Sequence, residues 1–248
     1  MSQFFAKDWT GAPFIWFGAA HIIALLTIVL LNLLLIWFGR HTSEKTRRTL
    51  AYVMAGVLWA NELSWHLWNA FTGQWTIQTM LPLHLCSLLV WTGALMLVTK
   101  NYAIYEFCYF LGIGGALQAL LTPDLGIYGF PHFRFFQTYI SHGLIITAAL
   151  YMTVVVGSRP TWKSLLRVAM WMNVYMVVVF VLNQLIGSNY LFIAHKPPTA
   201  SLLDLLPSWP WYILWLEVIG LVICLLLYLP FAVKDWREKV KLRGQNLA

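Results

Sequence analysis

Three groups of side chains in this 248-residue chain have the types and spacing for chemistry. Glu62 and His66 stand four apart, which puts them on one face of a helix. Such a pair can ligate a metal, set an acid beside a base, or simply tie helices together as a buried polar contact. No HExxH string accompanies it, so the pair alone defines no zinc site. His84 and Cys86 fall in the string Leu81-Pro82-Leu83-His84-Leu85-Cys86. Two apart on a helix, they point to nearly opposite sides, so His84 is a poor base for Cys86. A nucleophilic Cys86 needs a base from another helix, and His142 is the best placed. The plainer reading is a packing cysteine beside a structural histidine. Asp124, His132 and Arg134 form the third group. The planar fork of Arg134 suits a phosphate or a carboxylate, although a snorkelling interface anchor has the same composition.

The elements that must position these groups follow from composition. Hydrophobic residues make up 60% of the chain and charged ones 10%, against roughly 25% charged in soluble domains. Too few charges remain to cover a water-exposed surface, which predicts an all-α, polytopic membrane bundle over residues 1–248. Crossing the hydrocarbon takes about 20 apolar residues. Seven runs fit: 14–38, 50–70, 80–99, 102–121, 136–156, 165–187 and 211–232. Helices are required because lipid offers no partner to a free backbone group. The first run is too long for a signal-peptide core and is read as a retained helix. Cys86, Cys108 and Cys224 all lie in apolar runs, which argues against a disulfide framework.

The net charge of +7 does not signal nucleic acid, because thirteen basic residues occupy one set of loops and the tail. These are Arg40, Lys45, Arg47, Arg48, Lys100, Arg159, Lys163, Arg167, Lys234, Arg237, Lys239, Lys241 and Arg243. The other side holds only Lys7, Arg134 and Lys196. The positive-inside rule puts the N-terminus outside and the C-terminus in the cytoplasm of a multi-pass cell-membrane protein.

With that topology, polar residues from five separate segments meet towards the outer leaflet. They include Asn61, Glu62 and His66; His84 and Cys86; the 122–135 loop; Gln137, Ser141 and His142; and Asn183 with Asn189, Tyr190, His195 and Lys196. Intramembrane polar groups mark functional sites by default. Cys86 lies about five residues into the third run and His142 about six into the fifth, each roughly 8–9 Å below the helix start. That depth matches the ester region of a lipid. It also places Cys86 just beyond the first helical turn, which Pro82 would open, and where the helix dipole has largely faded.

Several strings bear a family resemblance: LPLHLC (81–86), LTPDL (121–125), FPHFRFF (130–136), Ser141-His142-Gly143, and 183–197 with its core GSNYLF. In this order they resemble the YwaF-type bacterial membrane proteins, relatives of the eukaryotic transmembrane protein 164. That relative moves a fatty acyl chain between phospholipids through a cysteine. The resemblance implies Cys86 as nucleophile and His142 as general base, with phospholipids and lysolipids as partners and no metal or other cofactor. His142 would take the thiol proton, the thiolate would attack a lipid ester, and a lysolipid would then collect the acyl group. Asn183, Asn189 or His84 would serve as oxyanion donors. Arg134 or Lys196 would hold phosphate, Tyr190 would line the site, and Glu62 with His66 would support it. Two rivals stand beside this: a metal-dependent lipid hydrolase using His66, His84, His142 and Asp124, and a small-solute transporter. The oligomeric state is not encoded in any of these features.

Overall fold

A computed structural model describes residues 3–197 and 202–245, and these are all-helical, with no strand among them. Seven long helices follow one another: α1 Ala19–Arg40, α2 Glu44–Phe71, α3 Leu85–Thr99, α4 Tyr102–Leu121, α5 Phe133–Val156, α6 Trp162–Ile186 and α7 Trp211–Gln245. Both α4 and α5 contain a π-turn, at Cys108–Gly112 and Met152–Val156. Five of the seven (α1, α4, α5, α6 and α7) are long and apolar enough to cross a membrane. Helix α2 is longer but more polar, and α3 is a 15-residue apolar helix. These apolar helices make the chain a multi-pass membrane protein.

Local sequence sets the helix ends. Ser43 caps α2 by accepting from the Thr46 N–H, and Thr161 with Ser164 forms a reciprocal capping box on α6. His132 caps α5 by accepting the Arg134 N–H at 3.1 Å. This corrects the fifth span, which begins at Phe133 and not 136. The third span also changes: Met80–His84 is non-helical, and α3 starts at Leu85. Pro82 lies ahead of the helix, in a turn where Leu83 N–H donates to Leu81 O.

The two ends of the bundle differ. Short connections join α1 to α2, α3 to α4 and α5 to α6 at one end. There Lys100 pairs with Glu44 at 2.9 Å, Tyr151 donates to Arg47 O, and Arg159 pairs with Asp235 of α7. These contacts gather the basic loops at one end, as the charge pattern requires. The described parts of the three long loops lie at the opposite end with residues 3–7: Trp68 donates to Phe5 O, His132 to Ala6 O and Tyr128 to Lys7 O. The core sits between α2, α3, α4 and α5, where Leu58, Val90, Ala94, Phe110 and Ala149 are fully buried.

Candidate functional site

Cys86 is the second residue of α3. The expectation of five residues of helix above it fails, because the Pro82 turn keeps Met80–His84 out of the helix. The thiol therefore sits inside the first turn. His84, at the N-cap, does not cap that turn. Its Nδ1 instead accepts the Leu191 N–H at 3.4 Å, and its ring packs 5.1 Å from both Tyr190 and Phe192. The first bond into α3 is Leu88 N–H to His84 O.

His142 is the tenth residue of α5, not the sixth. One turn on from Cys86 and His142, Leu89 of α3 and Ile145 of α5 both approach Gly112 of α4: a Cβ there would stand 3.8 Å from Leu89 and 3.1 Å from Ile145. The His142 Nδ1 bonds the Thr138 carbonyl at 2.8 Å. A carbonyl only accepts, so in the neutral ring Nδ1 carries the proton and Nε2 keeps a lone pair. No hydrogen bond joins His142 to Cys86 among the described residues. Such contacts often tighten only around a bound substrate.

Helix α2 brings Glu62 beside the first turn of α3. The Ser87 hydroxyl lies beside its carboxyl, and Cys86 and Arg134 are within electrostatic reach. Glu62 is 2% exposed, yet Oε1 has no hydrogen-bond partner and stands 3.7 Å from His66 Nε2. His66 is oriented by Trp75, whose Nε1–H donates to Nδ1 at 3.1 Å. Arg134 lies 3.7 Å over the Trp65 ring and donates to Gln137, whose carbonyl accepts from Asn61. Asp124 is within electrostatic reach of the same guanidinium. Glu62 thus lies within electrostatic reach of Cys86 and Arg134, and Arg134 within reach of His142 on its own helix.

The residues of the 187–197 loop do different work. Asn183 donates to Tyr190 O and accepts from Ser188 and the Tyr190 N–H, all within 2.9 Å. Asn189 spends its amide on Ala194 and His195. Tyr190 is fully buried, with its hydroxyl donating to Ile77 O and accepting from Leu81 N–H. Lys196 donates to Leu206 O. This loop pins the Pro82 turn and so sets where α3 starts. Sequence reasoning misses Ser87 and Trp65, which carry no signal beyond proximity to Cys86 and Glu62.

A cavity of about 1100 Å³ opens beside Cys86 and His84, at or above the roughly 300–1,000 Å³ of small-ligand sites. Its walls come from α3, α4, α6 and α7, with the 122–126 and 191–197 loops at the capped end. Most of the wall is apolar, including Leu111, Met172, Met176 and Leu221. From Ile213 to Cys224 on α7 it runs about 17 Å along the helix axis. Towards the basic end it reaches Leu165 and Cys224, which also belong to the packed core. Among the described residues, no three His, Cys, Asp or Glu side chains assemble as a metal would need. His66, His84, His142 and Asp124 therefore do not form the ligand set of the hydrolase rival.

Together these features define a helical membrane protein with a buried polar cluster beside a deep apolar chamber. A profile of the TMEM164 family matches residues 16–228, and the chain belongs to that family. No curated protein and no solved structure matches it.

Proposed function

We propose that the protein is a membrane-embedded acyltransferase that moves a fatty acyl chain from a phospholipid to a lysolipid through a Cys86 thioester. The observation that carries this reading is the position of Cys86. It lies in the first turn of α3, in the wall of an apolar chamber on one side and beside the Glu62–Arg134 cluster on the other. An acyl chain in the chamber brings its ester to the capped end, where the polar groups are.

In the proposed reaction, His142 Nε2 takes the Cys86 proton and the sulfur attacks the ester carbon. The tetrahedral intermediate collapses, the C–O bond to glycerol breaks, and His142 returns the proton to the leaving lysolipid. A second lysolipid hydroxyl reverses these steps and frees the thiol. Arg134 is the cation for the lipid phosphate. The water-poor chamber favours transfer to a lipid hydroxyl over hydrolysis. The proposed orientation puts the capped end outside, because the thirteen basic residues belong to the opposite end. The mostly apolar wall of the chamber favours this reading over a transport path.

Intact-protein mass spectrometry after incubation with mixed phospholipids tests the reading. The expected result is an acyl-sized, hydroxylamine-labile adduct on the native protein and none on Cys86→Ala. No adduct on the native protein, with lipid turnover unchanged by Cys86→Ala, would return Cys86 to a packing role.

A further inference from the structure

Acyl transfer needs hydrogen-bond donors aimed at the oxygen that becomes negative when sulfur attacks the ester. The Asn189 amide is committed to His195, and Asn183 donates to Tyr190 within the same loop. The first turn of α3 can supply such donors. The N–H groups of Leu85, Cys86 and Ser87 have no carbonyl one turn back in the helix, and no described acceptor bonds them. His84 leaves the turn uncapped because its ring is turned to Leu191. These free donors flank the thiol itself, and of the three residues Leu85 and Cys86 line the chamber.

A second observation points to a ligand at the same spot. Glu62 is buried beside Ser87, and its Oε1 has no partner. Burying a charged oxygen with no donor costs several kcal/mol. The Ser87 hydroxyl hydrogen-bonds the carboxyl, and His66, Cys86 and Arg134 surround it, yet Oε1 itself accepts from none of them. Arg134 is engaged with Gln137 and the Trp65 face. A neutral carboxyl would instead offer a donor beside Cys86.

Resting on the acyl-transfer reading, we propose that the backbone N–H groups of Cys86 and Ser87 and the neutral carboxyl of Glu62 form the oxyanion hole. As the C–S bond forms, the carbonyl π pair moves onto oxygen and is held by these three donors. It returns when the C–O bond to glycerol breaks. Glu62 is then a catalytic residue that contacts the reacting oxygen, and not a support for His66.

The test compares two reactions of Cys86 in the purified full chain: acylation by a phospholipid, and alkylation by iodoacetamide, which forms no oxyanion. Glu62→Ala should slow acylation by about 10²–10³-fold, the usual loss for one oxyanion donor, with alkylation changed less than about twofold. Glu62→Gln keeps a donor and should recover most of the acylation rate. Equal losses in both reactions, or a Gln variant as slow as Ala, would overturn the proposal in favour of a packing or charge role. Unchanged acylation in Glu62→Ala would overturn it too. Absence of any acyl adduct on the native protein, with normal alkylation, would instead remove the acyl-transfer reading and this proposal with it.

Discussion

Helices α4 and α5 bury 50% and 56% of their most apolar stretches inside the protein, whereas α6 buries 17% and α7 none. The first pair belongs to a packed core in which each methyl group has neighbours. The second pair stands off that core with the chamber between. Glycine shows the contrast at atomic scale. A Cβ on Gly112 of α4 would meet Ile145 at 3.1 Å, while one on Gly220 of α7, in the chamber wall, would meet nothing within 4 Å. A packed half beside a loose half with room for a lipid chain is the division that the proposed acyl-transfer site requires.

The sharpest break in this comparison comes from the reacting groups themselves. Cys86→Ala should abolish lipid turnover while the protein still purifies as a folded species, since a half-buried thiol contributes little packing. His142→Ala should reduce turnover by about 10²–10⁴-fold, the range for loss of a general base, and leave Cys86 open to alkylation. Both are read by lipid turnover together with size-exclusion behaviour.

The two glycines then separate packing from chamber. Gly112→Leu should cost about 1–3 kcal/mol or more by overpacking, visible as a lower melting temperature in detergent. Gly220→Phe should leave melting nearly unchanged but cut turnover on the order of tenfold, the scale of steric discrimination in a pocket. If Gly220→Phe melts early and Gly112→Leu does not, the division into halves is wrong.

Smaller effects belong to the ends. At the basic end, Glu106 is buried and pairs with Arg167 and Ser164. Glu106→Gln should lower the melting temperature with lipid turnover per folded molecule unchanged. At the capped end, burial keeps His132 below its ordinary value of 6.5, and the nearby Arg134 adds to this. A depressed histidine means that the unfolded chain takes up the proton first. Its contribution is therefore full above about pH 6.5 and shrinks as pH falls below that value. Melting at pH 7.5 and pH 5 should show a modest acid loss that His132→Gln reduces; an identical loss in the variant would assign it to other groups.

The helix order was legible from apolar runs and charge placement because lipid makes both demands directly on sequence. The grouping of Lys100, Arg47 and Arg159 at one end followed for the same reason. The start of α3 was not legible. Apolar residues 80–84 look helical, yet Tyr190 and Leu191, about a hundred residues later, hold them in a turn. Asn183 was misleading as an oxyanion donor, although a cue existed: Gly187, at φ +67, ends α6 in the left-handed conformation, and polar side chains near such an end commonly satisfy the turn. The chamber left no trace at all. It depends on how far α6 and α7 stand from α4, and no local pattern encodes that distance.

The central claim is that Cys86 carries an acyl group between two lipids. A pulse with acyl-labelled phospholipid, isolation of the labelled protein, and a chase with unlabelled lysolipid tests it most directly. The account predicts label on the Cys86 peptide that passes to the added lysolipid. Label released as free fatty acid, or retained on the protein through the chase, would contradict it.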